Sequence, residues 1–249
     1  MKRRLDNVLV ERGLVATRER ARALILAGDV RVNGQVAAKA GTAVAEDAEV
    51  TLTAPDHPYV GRGGLKLAHA LDVFGVNVTG RRGLDVGAST GGFTDVMLQR
   101  GATRVVALDV GHGQLDWKIR SDPRVVTIER VNARTLTPVQ LPEELRTFGI
   151  VTIDVSFISL RHILPVVPPL LERDADVIAL VKPQFEARRE EVGKGGIIKD
   201  ADVHARVVAE IRHAADALGL SGAGLIDSPI TGMEGNREFL LHLRLKQHA

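Results

Sequence analysis

The sequence contains no cysteine. Disulfides, thiolate nucleophiles, cysteine-ligated zinc and iron–sulfur clusters are thereby excluded. Aromatic residues make up only 3% of the 249 residues, so Val, Leu, Ile and Ala must build the core and few rings are left for stacking. No run of about 20 uncharged apolar residues occurs, and no helix is expected to span a bilayer. The most apolar region, residues 150–171, is interrupted by Asp154, Arg161 and three prolines. Met1-Lys2-Arg3-Arg4 is basic, but Leu5 is followed by Asp6 and no apolar signal region develops. A cytoplasmic location is expected. What remains is ordinary: 45% hydrophobic and 26% charged residues place the chain among globular proteins. Its length allows one or two domains.

The formal net charge is only +2, so the distribution of charge has to decide about polyanionic partners. Residues 1–39 carry nine Lys or Arg against four Asp or Glu, whereas residues 40–58 carry four acids and no Lys or Arg. One surface of this region is expected to be basic. Leu5, Val8 and Leu9 follow helical spacing, and Gly13 is a natural stop. Thr17 suits the cap of a second helix that buries Ala21, Leu24 and Ile25 and ends at Gly28. Arg18 and Arg22 sit one turn apart on its wet side, with Arg20 nearby. Val30, Val32 and Val36 alternate around Asn33-Gly34, whose residues both tolerate positive φ in a tight hairpin. Val44, Val50 and Leu52 supply further short strands. Residues 1–58 thus read as a small α+β module.

Thr53 to Val60 includes Pro55 and Pro58 and reads as linker, with the connection proper placed at 59–63. From residue 64 the pattern changes. A helix over 64–74 leads into apolar strands near 82–86, 104–109, 124–128, 150–154 and 176–182. Helices are expected near 91–100, 112–120, 158–171 and 201–218, and closing strands near 223–229 and 237–245. Such alternation predicts an α/β fold over 64–249, a Rossmann-like, doubly wound and mostly parallel sheet.

The run Asp85-Val86-Gly87-Ala88-Ser89-Thr90-Gly91-Gly92-Phe93 takes a buried strand through a glycine-rich turn into a helix. Ligands of such sheets lie at the carboxyl ends of the strands, where glycine lets the backbone approach them. The spacing is neither that of a dinucleotide fingerprint nor that of a P-loop. Asp109 ends the next strand, where a carboxylate can take two ribose hydroxyls, and the combination suits S-adenosylmethionine. Asn132 follows the third strand and either reaches the adenine edge or stabilises its loop. Asp154 and Lys182 end two apolar strands, so both charges should emerge at the rim that carries the glycine turn. A charge there is costly unless paired. The two form either a structural ion pair or a pair facing the methyl group.

These residues resemble a known family. The C-terminal part is similar to the FtsJ-like RNA ribose 2′-O-methyltransferases, which use a Lys-Asp-Lys-Glu tetrad. The whole chain resembles the TlyA family of ribosomal RNA cytidine-2′-O-methyltransferases, also called haemolysin A. The resemblance lies in Gly61-Arg62-Gly63-Gly64-Leu65-Lys66-Leu67, Asp85 to Phe93, Asp109-Val110-Gly111-His112-Gly113-Gln114-Leu115, Asp154-Val155-Ser156-Phe157-Ile158-Ser159-Leu160, Val181-Lys182-Pro183-Gln184-Phe185-Glu186 and Gly235-Asn236-Arg237-Glu238-Phe239. The N-terminal module resembles the S-four-type RNA-binding domain through Arg4-Leu5-Asp6 and Gly28-Asp29-Val30-Arg31-Val32-Asn33-Gly34.

The resemblance implies a catalytic tetrad of Lys66, Asp154, Lys182 and Glu238. It implies S-adenosylmethionine as cofactor, with no metal, and ribosomal RNA or ribosomal subunits as partner. The ribose 2′-hydroxyl would displace the methyl carbon of the sulfonium in line. Lys182 would serve as an ammonium that stabilises the developing alkoxide or as a neutral amine that removes the proton. Asp154 would orient it and lie near the sulfonium, and Lys66 and Glu238 would tune Lys182 and steady the ribose. Arg3, Arg4, Arg18, Arg20 and Arg22 would contact phosphates. Residues 187–196, charged and glycine-rich, read as a mobile lid or a plain loop. Phe157, Phe185 and Tyr59 are the candidate stacking surfaces. The alternatives are an RNA-binding assembly factor on a methyltransferase fold and, from the older family name, a haemolysin.

Overall fold

The computed structural model describes residues 2–26, 28–37, 39–53, 57–232 and 234–246. Two compact units emerge, Met1–Arg62 and Gly63–Ala249. Of the stretch read as linker, Ala54, Pro55 and Asp56 lie outside the described residues.

In the first unit, strand β1 (Lys2–Arg4) leads directly into helix α1 (Leu5–Glu11), and α2 (Arg18–Leu26) follows. Thr17 accepts the Arg20 N–H through Oγ1 at 3.1 Å, the capping bond expected of it. Strands β2 (Val30–Val32) and β3 (Gln35–Val36) form the hairpin, with Asn33 at φ 49° and Gly34 at φ 79°. Strand β4 (Ala43–Ala45) pairs with β1, and β5 (Val50–Leu52) pairs with β2. The β1–β4 ladder has no signal in the sequence, because Lys2-Arg3-Arg4 shows no apolar alternation. Leu5, Leu9, Ala21, Leu24, Ile25 and Val30 meet in one apolar core.

The second unit starts with α3 (Gly63–Phe74) and β6 (Arg82–Val86), followed by α4 (Gly92–Gln99), β7 (Arg104–Asp109), α5 (Trp117–Arg120) and β8 (Val125–Glu129). Next come β9 (Phe148–Ile153), β10 (Leu171–Val181), the single turn α6 (Pro183–Glu186), α7 (Ala201–Ala217), β11 (Leu220–Asp227) and β12 (Phe239–Leu245). The sheet order is β11-β12-β10-β9-β6-β7-β8. The five strands from β10 to β8 are parallel, while β12 runs antiparallel to both β10 and β11. Chain order reverses between β6 and β9, and their carboxyl ends make the crevice where such sheets bind ligands.

Both faces of the sheet are covered. Leu84, Val86, Leu108, Val151, Ile153 and Val177 pack with Val207 and Ile211 of α7. On the opposite face, a Cβ on Gly83 would meet Met97 of α4 at 2.8 Å, and Phe74 of α3 packs on His242 of β12. Two expected helices differ. Residues 158–171 form three short 3-10 turns, Leu160–His162, Leu164–Val166 and Pro168–Leu170. Pro165, Pro168 and Pro169 supply no N–H and break the α-helical ladder. Only Trp117–Arg120 of the expected 112–120 helix forms, since Gly111 and Gly113 precede Asp116, whose side chain caps that single turn. Among the described residues, no helix is long and apolar enough to cross a membrane.

Candidate active site

The glycine turn is fixed from three sides. Gly87 N–H and Ala88 N–H both donate to the Leu108 carbonyl, at 2.8 and 3.1 Å. Gly87 has φ 86°, and a Cβ there would stand 2.4 Å from the Asp154 carbonyl oxygen. Only glycine lets the turn lie this close to the end of β9. Gly91 has φ 93°, and a Cβ would run into Leu115 at 2.9 Å. Gly91 precedes α4, whose N-terminus has no side-chain cap. Ser89 is exposed, at φ 47°.

Asp109 comes beside this turn because β6 and β7 are in register. Its Oδ2 accepts the Ser89 N–H at 2.8 Å and its Oδ1 the Gly111 N–H at 2.6 Å. Each carboxylate oxygen has capacity for a second donor. Asn132 follows β8, next to Val131, whose N–H donates to the Asp109 carbonyl. Asn132 Oδ1 accepts the Arg134 N–H at 3.0 Å and so caps a 3-10 turn.

Two of the expected cofactor residues lie beneath the turn instead of on it. Asp85 is fully buried and accepts the Thr94 N–H and hydroxyl at 2.9 and 2.7 Å, and the Thr152 hydroxyl at 3.1 Å. Burial pushes its carboxyl up to about 7, against the pull of these donors. It braces the start of α4 from inside. Phe93 is also buried and packs where a Cβ on Gly63 would be, at 3.6 Å. Strand alternation explains Asp85, since the apolar run marks a buried strand but not which of its residues reaches the rim, whereas Phe93 lies on the buried side of the first turn of α4.

The four charged residues fall into two ion pairs. Lys182 Nζ lies 2.6 Å from Asp154 Oδ1 and donates to Ser156 Oγ at 3.0 Å. Lys66 Nζ, on α3, donates to Glu238 Oε2 at 2.5 Å, and both side chains are nearly inaccessible. Register joins the pairs, because Lys182 and Glu238 follow the Val181–Phe239 pairing of β10 with β12 by one step. Asp154 N–H donates to the Val86 carbonyl beside the glycine turn. Asp154 thus brings the first pair to the crevice at the switch in strand order, and the second pair lies next to Lys182 through the β10–β12 register. Ser156 and Glu186 were not singled out from the sequence. Their only signal was membership of the two stretches that carry Asp154 and Lys182.

Residues 187–196 are tied down in the middle and at the far end. Arg206 of α7 pairs with Glu191 at 2.6 Å, and Asn236 Nδ2 donates to the Gly196 carbonyl at 2.9 Å. Phe157 is 90% exposed at φ 63°, its ring 5.1 Å from that of Phe185.

In the first unit, Arg4, Arg18 and Arg22 converge on one carboxylate, Asp6, at 3.0, 3.1 and 3.4 Å. Asp6 is fully covered, yet the three arginines are each about half exposed. The Arg4 hydrogen bonds, with those of Arg18 and Arg22, hold its carboxyl well below the usual range. Arg3 pairs with Glu11 at 2.5 Å. Arg20 is turned into its own unit, donating to the carbonyls of Tyr59, at 3.0 Å, and His57.

Comparison with known proteins agrees with this architecture. Residues 59–245 match the FtsJ-like methyltransferase family, and residues 3–50 match the S4 domain. A protein of Mycobacterium tuberculosis named 16S/23S rRNA (cytidine-2′-O)-methyltransferase TlyA is 48% identical over 242 residues, covering 97% of this chain and 89% of that one. Hemolysin A of Brachyspira hyodysenteriae is 40% identical, covering 96% and 98%. A solved structure from Streptococcus thermophilus, provisionally named a hemolysin, has 45% identity and a TM-score of 0.77, covering 99% of this chain and 89% of that chain. With an S4 module ahead of a seven-stranded methyltransferase sheet, and with this length of shared sequence, the chain belongs to the TlyA family of FtsJ-like methyltransferases.

Proposed function

We propose that this chain transfers a methyl group from S-adenosylmethionine to the ribose 2′-oxygen of a cytidine in ribosomal RNA. The observation that carries the reading is the amine of Lys182, held between Asp154 and Ser156 beside the glycine turn. The target base and the RNA follow from the name of the 48% identical relative.

The donor brings a methyl group already activated as a sulfonium, which leaves position and charge control to the protein. Gly87, Ala88, Ser89, Thr90, Gly91 and Gly92 form the cradle. The second acceptor capacity of Asp109 fits such a ligand. Asp109 would hold the ribose hydroxyls of the donor, and Asn132, whose Oδ1 already caps the following turn, would border the adenine through its remaining amide group. Asp85 and Phe93 support the cradle from below. Lys182 Nζ, as an ammonium, would face the target 2′-oxygen and stabilise the negative charge that develops on it as the hydroxyl proton passes to solvent and the sulfonium, losing its methyl group, leaves as the neutral thioether. Asp154 and Ser156 fix that amine. Lys66 and Glu238, paired and dry, keep the end of β12 against α3. Phe157 offers an exposed ring for the base, in keeping with stacking on unpaired nucleotides. Arg3, Arg4, Arg18 and Arg22 contact phosphates, a task separate from chemistry and assigned to the S4 module.

Full-length protein incubated with tritiated methyl donor and unmethylated ribosomal subunits tests the reading. Label is expected at a cytidine 2′-oxygen, recognised as an alkali-resistant dinucleotide. Absence of label on any ribosomal RNA would leave an RNA-binding factor.

A further inference from the structure

The stretch Lys182-Pro183-Gln184-Phe185-Glu186 ends on a carboxylate that the reaction above leaves unused. Glu186 is buried, and its acceptor oxygens face the loop after β9. Oε2 accepts the Ser159 hydroxyl at 2.5 Å, and Oε1 accepts the Leu160 N–H at 2.7 Å. Arg161, from the same loop, returns a hydrogen bond to the Glu186 carbonyl at 2.9 Å. Its guanidinium lies 3.9 Å from the carboxylate, so the buried charge is only loosely compensated. Burial raises the Glu186 carboxyl above its usual range, with the Ser159 and Leu160 bonds opposing. A buried carboxylate is costly unless it is hydrogen-bonded or paired, and here the Ser159 and Leu160 bonds meet that need.

Those bonds form one end of a ladder between two short segments, 154–160 and 182–186. Ser156 meets Lys182, Phe157 meets Phe185, and Ser159 with Leu160 meets Glu186. Both members of the reactive ion pair lie on these segments. Phe157, in the middle, has a left-handed backbone that a non-glycine residue rarely keeps without restraint on both sides. The Ser156–Lys182 rung alone cannot supply that restraint, since it lies on one side of Phe157 only.

We propose that Glu186 is a positioning residue for methyl transfer: by clamping the loop after β9 onto the turn after β10, it fixes Ser156 and Asp154 against the amine of Lys182. The proposal rests on the reading of Lys182 as the group facing the target oxygen. Glu186 touches neither the donor nor the ribose. Loss of the clamp lets the lysine amine drift from its productive position, and displacements near 1 Å are enough to cost roughly 10²-fold in rate.

The test compares full-length wild type with Glu186→Ala, Glu186→Gln and Ser159→Ala. Single-turnover methyl transfer is measured at saturating donor and ribosomal subunits, together with S-adenosylhomocysteine affinity and the melting temperature. Wild-type turnover establishes first that the enzymatic reading holds, so its failure is seen separately. Glu186→Ala is expected to slow the chemical step roughly 10- to 100-fold, with product affinity within about twofold of wild type. Glu186→Gln, which still accepts from Leu160 and bonds Ser159 by its amide, is expected to recover most of the rate. Ser159→Ala should fall between. A folded Glu186→Ala with wild-type single-turnover rate overturns the proposal. So does a loss of rate matched by an equal loss of product affinity in all three variants, which marks a merely structural carboxylate. If Glu186→Ala does not fold, the ratio of rate to affinity in Ser159→Ala and Glu186→Gln decides.

Discussion

Each unit of this chain buries an aspartate completely, and the two are driven in opposite directions. Asp6 is covered by three guanidiniums, which keep it ionised far into acid. Asp85 is covered by the hydroxyls of Thr94 and Thr152 and the apolar sheet, and burial lifts it to about 7. Burial alone therefore does not set the charge of a carboxylate; the charge of what covers it does. The same contrast separates the working groups. In the first unit the cations share one acid and stay half exposed, which suits contact with a polyanion. In the second each lysine has its own carboxylate, and the Lys66–Glu238 pair is almost dry, which suits a fixed charge environment.

The largest expected effect falls on the Lys182 amine. Lys182→Ala should lower methyl transfer by roughly 10²- to 10⁴-fold in single-turnover assays. Calorimetric titration should find donor affinity largely retained, because the cradle is built by β6, β7 and the glycine turn. A second test breaks the dry pair. Glu238→Ala leaves the Lys66 ammonium buried without its partner and should destabilise the protein by about 3–5 kcal/mol in denaturant unfolding. Adding Lys66→Met should restore much of the loss, and a double variant as unstable as the single one would contradict the assignment.

The two aspartates give the contrast a pH axis. Asp85 has a raised folded pKa, so its favourable contribution is full below the ordinary aspartate value, near pH 4, and is lost as pH rises through about 7. Asp85→Asn should thus gain stability relative to wild type across that interval, by up to about 4 kcal/mol. Asp6 behaves in the reverse sense: its contribution is full above the ordinary value and is lost only as pH falls through its depressed one. The difference in unfolding free energy between wild type and Asp85→Asn, followed from pH 4 to 8, checks the sign. The smallest single effects belong to the exposed arginines. Replacing Arg4, Arg18 or Arg22 by Ala should each weaken RNA binding several-fold, with the slope of log affinity against log salt falling by about 0.7–0.9 for each phosphate no longer neutralised. An unchanged slope in the triple variant would remove the S4 unit from phosphate binding.

Much of this arrangement was legible in the sequence. Thr17, Asn33-Gly34 and the period of Ala21, Leu24 and Ile25 are local signals, and local geometry obeyed them. The apolar strands ending in Asp154 and Lys182 announced a shared rim, and the two side chains meet there. The failures were also local in origin. Residues 158–171 have enough Leu, Ile and Val to suggest a helix, but Pro165, Pro168 and Pro169 leave only 3-10 turns. Arg20 looked like its neighbours Arg18 and Arg22, yet it bonds the backbone of residues 57 and 59.

Composition and pattern by themselves determined the absence of thiol chemistry, the strand–helix alternation and the glycine turn, because each depends on residues close together in the chain. Partnership was decided only in three dimensions. Lys66 and Glu238 are 172 positions apart, and they meet because β12 inserts antiparallel beside β10 and carries Glu238 to the helix that precedes the sheet. Asp85 became a brace because strand alternation turned it inward, and Asp6 became a hub because α2 brought Arg18 and Arg22 to it beside Arg4 at the end of β1. An isolated charge carries no record of its partner; the energy of desolvation selects one only after the backbone has set which groups come within reach.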